Sequence, residues 1–475
     1  MIPTETDVFS VGSMMFSELY IEGRRSARCT AGRYSSIRLN KTGSFGTAAR
    51  VGSFDDPGHS AVSAVSIEAF EAALAVAARK VGAVRQSGWL PRLLGVSEDQ
   101  DRFIKDVDLK DAETGSLWLI VEEVSEHLAS VPLLTDFRIE AFCERQNIFV
   151  ATHDQTNSLA AADSRFRWGI SADLLIYDSA DDSHFWIERN LSASEPPEAV
   201  CGQYLLKQLL HSIGEMPPTT RQILSPQKSM LVLSPQSSGV FFHEIVGHVC
   251  ESQNLSKMRN RPGEGDLLSP RFVSVWDDAN IPGLFGNRKI DDVGIRSAPI
   301  CLIDRGRLGR PLTLGSPLHR DNVGCGARQD FRFPPMARMS NTIVEPGEHS
   351  AHDIASQAHA GIYVAKLGEG EFDPTTGSCV LIVSEAWGLE NGQPSFPLQP
   401  FAIFGQVQEL LTAIVALGND SAPTGMFCAS YGVVCPVGAM TPTIALGPVS
   451  VRCLSSAEML NLKASYSALS SRNMP

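Results

Sequence analysis

His243, Glu244 and His248 are the residues of this chain best suited to chemistry. They lie in the run Gly239–Glu251, which is otherwise largely apolar. Imidazole and carboxylate groups are costly to bury without partners, and a bound metal would supply one. Zinc takes neutral imidazole nitrogens as ligands, and a neighbouring glutamate can carry protons to and from a metal-bound water. The spacing is uncommon. Histidines four residues apart sit about 40° apart around a helix, at about 100° per residue. Here the second histidine comes five residues on, about 140° away on a regular helix. Both reach one ion only where the helix widens into a π turn or breaks, and Gly247 is where that departure costs least. The spacing leaves a second reading open, with one histidine hydrogen-bonded in the core and the other facing solvent.

The rest of the chain must hold that run in place. Its 475 residues are enough for two or more domains, each with its own core. A hydrophobic content of 43% and a charged content of 20% describe an ordinary globular protein. The net charge of -13 argues against a general binder of nucleic acid or of anionic membranes. No apolar run approaches the roughly 20 residues of a membrane span, and Met1 to Phe16 lacks the basic start and apolar core of a signal peptide. A cytoplasmic protein is the expectation. Ten cysteines are scattered without a CxxC pair, which suggests mostly reduced, buried thiols.

In chain order, Ser17 to Val51 reads as a strand meander, with alternation at Glu18–Glu22, Ser36–Asn40 and Thr47–Val51 and a turn at Asn40–Gly43. Ser66 caps a helix predicted over Ile67–Val81. Trp118–Glu123 is compatible with helix or strand. A second meander is predicted as Phe137–Phe142, Ile148–Thr152, Arg165–Ile170 and Asp173–Tyr177, followed by a helix over Glu195–Ile213 with Pro196 and Pro197 in its first turn. Pro217 and Pro218 mark a boundary, so one domain is expected over 1–222 and a second over 223–475. The second opens on a strand at Ser229–Ser234 and continues through the histidine run. Short strands then alternate with Gly, Asp and Pro turns, among them Phe272–Trp276, Ile300–Gly306 and Ser378–Val383. That pattern suits a largely antiparallel, barrel-like body. Phe404–Ala416 reads as a helix, and Gly425–Gly438 as a turn-rich segment leading into a final strand.

Several motifs recur in a definite order through the second half. They are His-Glu-x-x-x-His at 243–248 with Glu251 after it, Gly324-Cys325-Gly326-Ala327-Arg328, and Pro335–Thr342 with Pro346-Gly347. Gly361-Ile362-Tyr363 follows, then Cys428 with Pro436-Val437-Gly438 and Pro442-Thr443. Together they resemble the TldD/PmbA family of metallopeptidases, in its TldD-like, catalytic branch; over 1–222 the resemblance is one of element order. It implies an α+β fold, in which an N-terminal domain of α/β-meander type is joined to a mainly antiparallel, barrel-like β domain carrying the metal helix. It also implies that His243, His248 and Cys428 are zinc ligands and that Glu244 is the catalytic glutamate. Three protein ligands leave a fourth position for water, as a catalytic zinc requires. Cys435 competes with Cys428 for the third place, and the eight-residue step to Pro436 favours Cys428.

Among the remaining polar residues, Glu251 lies about one turn past His248 and could hold that imidazole. Arg338 and Arg328 could bind a substrate carboxylate or steady an oxyanion. His319, His349, His352 and His359 read as turn or surface residues. The resemblance further implies hydrolysis of peptide bonds in unfolded or flexible chains, with substrate entering as an extended strand on an open sheet edge. The partner would be a PmbA/TldE-like paralogue in a heterodimer, or a second copy in a homodimer, with no nucleic acid and no membrane involved. The chain departs from the family pattern at Val249–Gln253, where Gly and a final Asp are common, and at Ala429-Ser430-Tyr431, which is bulkier than usual. Those departures motivate an alternative, the trimming of a leader peptide or amino-acyl group from a peptide-derived natural product. A non-catalytic partner subunit is a further alternative, against which the retained ligands and Glu244 count.

Overall fold

The computed structural model describes residues 7–22, 26–41, 44–54, 112–131, 134–153, 158–178, 183–198, 200–214, 222–315, 323–329 and 335–453. The helix predicted over Ile67–Val81 and His319 lie outside the described residues. The first strands are β1 (Asp7–Glu22), β2 (Ser26–Lys41), β3 (Ser44–Phe54), β4 (Leu134–His153), β5 (Ser158–Asp178) and β6 (Ser183–Ala193). They form one antiparallel sheet in the order β3-β2-β1-β4-β5-β6. Two helices, α1 (Ala112–Ala129) and α2 (Val200–Gly214), share a core with this sheet. In α1, Ile120, Val121, Val124 and Leu128 are buried at helical spacing, which decides the ambiguous Trp118–Glu123 stretch for helix.

The second meander differs from expectation. Phe137–Phe142 and Ile148–Thr152 belong to the single strand β4, and Arg165–Ile170 and Asp173–Tyr177 to the single strand β5. The polar residues Glu144–Asn147 suggest a break, yet β4 pairs through them with β1 and β5 on both sides. Among the described residues, Leu134, Phe137 and Ile139 of β4 join the shared core. Along Glu144–Asn147 the apolar alternation of the sequence lapses, while the backbone ladder continues. Pro196 and Pro197 precede α2 rather than forming its first turn.

The second half contains β7 (Gln227–Leu233), β8 (Val275–Asp277), β9 (Ile300–Asp304), β10 (Arg307–Leu308), β11 (Gly326–Ala327), β12 (Met336–Ala337) and β13 (Asn341–Val344). It continues with β14 (Ile362–Phe372), β15 (Ser378–Glu390), β16 (Gln393–Pro397), β17 (Phe401–Gln406), β18 (Ile414–Leu417), β19 (Ala422–Ser430), β20 (Val433–Thr441) and β21 (Ile444–Cys453). The order β14-β7-β21-β17-β15 closes on itself through β14–β15 pairing, giving a five-stranded barrel in which only β7–β14 is parallel. A six-stranded sheet, β10-β9-β8-β13-β20-β19, lies beside it, again with one parallel pair, β13–β20. The fold is thus α+β, with a helix-bearing meander sheet followed by a mainly antiparallel, barrel-containing body.

Two further expectations are corrected here. Phe404–Ala416 is strand β17, then a short helix (Val407–Thr412), then strand β18. Phe404 and its neighbours pair with β15 and β21, so barrel closure overrides helical spacing at both ends. Gly425–Gly438 is a hairpin, β19 and β20 joined at Tyr431–Gly432.

Candidate metal centre

The histidine run is built in three pieces. Helix α3 (Pro235–Phe242) begins with Ser234 capping the Ser237 amide and a proline in the first turn. Phe241 and Phe242 anchor it in the barrel-side core. His243–Gly247 then form a π turn, in which the His248 amide donates to the His243 carbonyl, before α4 (His248–Cys250) and α5 (Ser252–Leu255). The i→i+5 bond winds residue 248 back beside residue 243. The two rings meet edge to face at 4.9 Å between centroids. Gly247 keeps ordinary helical angles; what it provides is room, since a β-carbon there would lie 2.1 Å from Met339 Sδ.

Cys428 arrives from β19. Its Sγ lies 3.2 Å from His248 Nε2, and one ligand atom each from His243, His248 and Cys428 fall within 4.8 Å of one another. All three residues are buried. Burial opposes charge on both partners, but their mutual attraction wins. Cys428 lies well below the ordinary thiol range, drawn down by His248, His243 and Arg338. His248 lies well above its own, held up by Cys428 and Glu251. Cys435 sits opposite Cys428 across the hairpin but packs with Ala327 and Val433, and burial pushes its thiol up to about 11. Two imidazoles and a thiolate are a donor set that suits zinc. The buried Nδ1 of His243 has no hydrogen-bond partner, as fits a ring whose partner is a metal.

Around these three, the His248 imidazole is steadied from behind. His248 Nδ1 lies 3.2 Å from Glu251 Oε2. Asn254 Nδ2 donates to the same oxygen at 2.9 Å and to the His248 carbonyl at 2.9 Å. Arg338 Nε lies 3.2 Å from Glu251 Oε1, with both side chains fully buried. Its other nitrogens donate to the carbonyls of Cys428, Ser430 and Val433, so it ties the hairpin carrying Cys428 to the segment that follows His248. The expected substrate contact for Arg338 therefore does not hold, because its guanidinium never reaches the cleft. Arg328 is likewise buried, its amide and guanidinium donating to Asp292. Replacing Arg338 by methionine is expected to cost about 3–5 kcal/mol by stranding the buried Glu251 charge. Urea denaturation measures this, and a loss below about 1 kcal/mol would put the pair in the class of surface bridges.

Glu244 stands beside the cluster, its Oε2 3.9 Å from His248 Nε2. Burial raises its pKa, against the pull of the two histidines. It packs on Gly370 of β14, where a β-carbon would lie 2.3 Å from Glu244 Cγ. His243, Glu244, His248 and Cys428 all face a cleft of about 680 Å³, walled by Asn190 of β6 and Phe427 of β19. Sequence reading missed Gly370 and Asn254, and gave Met339 no role beyond its place in the Pro335–Thr342 motif. His349, His352 and His359 are exposed.

Residues 226–452 match the family model described as PmbA/TldA metallopeptidase C-terminal domain. A metalloprotease of Methanocaldococcus jannaschii is 31% identical over 219 residues, 44% of this chain and 48% of that protein. A protein of Saccharolobus solfataricus named zinc metalloprotease TldD homolog is 24% identical over 229 residues, 46% of this chain and 51% of its own length. The chain thus spans about half the length of the curated relatives it matches. The solved structure of TldE from Thermococcus kodakarensis shares the fold, with a TM-score of 0.64 at 14% identity over 94% of this chain and 97% of that one.

Proposed function

Since this chain belongs to the TldD/PmbA family, we propose that it is a zinc-dependent metallopeptidase acting on unfolded or flexible peptides. The observation carrying the proposal is the convergence of two imidazoles and a thiolate beside a buried carboxylate, at the wall of an open cleft. His243, His248 and Cys428 would hold the metal. A zinc bound there lowers the pKa of water and polarises a carbonyl. Glu251 fixes the His248 ring by taking its Nδ1 proton in a hydrogen bond, which leaves Nε2 toward the cluster. Glu244 takes the proton of the attacking water at its carboxylate and returns it to the leaving amine. Its raised pKa, caused by burial, suits that exchange near neutral pH.

Substrate enters as an extended strand. Among the described residues, β6 and β19 are end strands of their sheets, and both border the cleft. An end strand offers unpaired backbone groups to a peptide, a mode that reads main chain more than side chains. Chelation is expected to abolish cleavage of an unstructured reporter peptide and added zinc to restore it. Activity that survives metal removal would favour a cysteine hydrolase using Cys428. We extend the proposal to cytoplasmic work in a dimer, with a PmbA/TldE-like paralogue or a second copy. The same assay with and without the paralogue tests this, and full activity of a monomer would refute it.

A further inference from the structure

The hairpin that delivers Cys428 ends in an unusual turn. Ser430 pairs with Val433, so Tyr431 and Gly432 alone make the turn, with φ of 52° and 74°. Asn-Gly is the common choice for such a turn; a tyrosine in the left-handed region is strained unless its side chain is held. It is held. The Tyr431 hydroxyl donates to Asn254 Oδ1, and Asn254 is the buried residue that also donates to Glu251. Lys257 Nζ donates to the Tyr431 oxygen at 2.8 Å and lies 4.2 Å from the ring centroid.

Asn254, Lys257 and Tyr431 line the same cleft as Glu244. The cleft's other lysine, Lys366, is neutralised by Glu188 at 2.7 Å. Among the described residues, Lys257 has no ion pair, and its ammonium spends one of three donors on the phenol. An exposed lysine held to Tyr431 by a hydrogen bond and a ring contact, without a carboxylate partner among the described residues, at the rim of a substrate cleft is placed to meet an anionic oxygen group.

We propose that Lys257 and Tyr431 form a carboxylate subsite, selecting peptides that carry a carboxylate on that side of the scissile bond. This rests on the peptidase reading above. Tyr431 lies three residues past Cys428, about 10 Å along a strand. The favoured carboxylate is therefore two to three residues from the bond cut, and either a chain terminus or an Asp or Glu side chain supplies the same chemistry. Lys257 acts by contact with substrate, and Tyr431 by positioning Lys257.

The test uses peptides of one sequence in which a glutamate, or glutamine in its place, is moved residue by residue, each with a free or an amidated C-terminus. Binding to the Glu244→Gln protein is read by fluorescence anisotropy, and kcat/KM on the wild type. The expected result is a preference of about fivefold or more for the carboxylate member, peaking two to three residues from the cut. Dependence on the free terminus assigns the terminal carboxylate; dependence on glutamate assigns the side chain. In Lys257→Met the ratio falls to near one, and in Lys257→Glu the preference turns toward lysine in the same place. A wild-type ratio within twofold of one at every position, or a preference that survives Lys257→Glu, overturns the subsite. If no peptide is cut by the zinc-loaded wild type, the peptidase reading fails instead, and the anisotropy ratios still decide the subsite.

Discussion

Replacing Glu244 by glutamine is expected to lower kcat for peptide cleavage by about 10²- to 10⁴-fold while leaving bound metal unchanged. Glutamine has nearly the same shape, so it fits the same space against Gly370. What it loses is the ability to take and return a proton. The three donors that converge are His243, His248 and Cys428, so the substitution removes none of them. Metal per chain by elemental analysis and kcat on an extended reporter peptide separate the two roles. Cleavage that persists in the glutamine protein means that Glu244 is not the base. Metal that departs with it means that Glu244 is a ligand.

Cys428→Ala is the second large effect. Alanine removes the anion that faces His248 at 3.2 Å and leaves two buried imidazoles to hold a dication without a negative ligand. Bound zinc is expected to fall from stoichiometric to a small fraction after dialysis, and the stabilisation that the metal confers by mass action falls with it. Cys435→Ala is the matched control, since that thiol packs with Ala327 and Val433. Its metal content is expected to stay at the wild-type level. Stoichiometric zinc in the Cys428→Ala protein, or loss in the control alone, would overturn the choice of third ligand.

The parts of this site that are legible in the chain are those carried by neighbours in sequence. For both histidines to reach one ion, the His-Glu-x-x-x-His spacing requires a widened or broken turn, and a π turn over His243–Gly247 is what forms. The step from His248 to Glu251 is about one helical turn, and their side chains meet. In both cases backbone geometry over a few residues decides the outcome. Where neighbours did not decide, the reading erred. The polar stretch Glu144–Asn147 suggests a break, but partners on both sides carry β4 through it. Helical spacing over Phe404–Ala416 yields to barrel closure. The two arginines placed at the substrate are structural cations, because burial and partner are properties of the packed chain.

By itself the sequence determined the fold class, through alternating strands and a few helical runs, and the two imidazoles and carboxylate that one turn of backbone brings together. For the cysteine that joins them the sequence offered only a preference for Cys428, from its step to Pro436 and the resemblance, and the tertiary structure brings that thiol to the histidines. Cys428 and Cys435 differ little in local surroundings, and Cys428 lies 180 residues from His248. In the β19–β20 hairpin, clamped by Arg338, Cys428 meets the histidines while its cross-strand neighbour Cys435 packs with Ala327 and Val433. Tertiary packing also decided that Gly247 is needed for the space Met339 takes, and that Tyr431 holds Lys257 at the rim. The physical reason is the same each time. Torsional preferences act over a few residues, whereas burial, charge pairing and close approach depend on segments that meet only when the chain is folded.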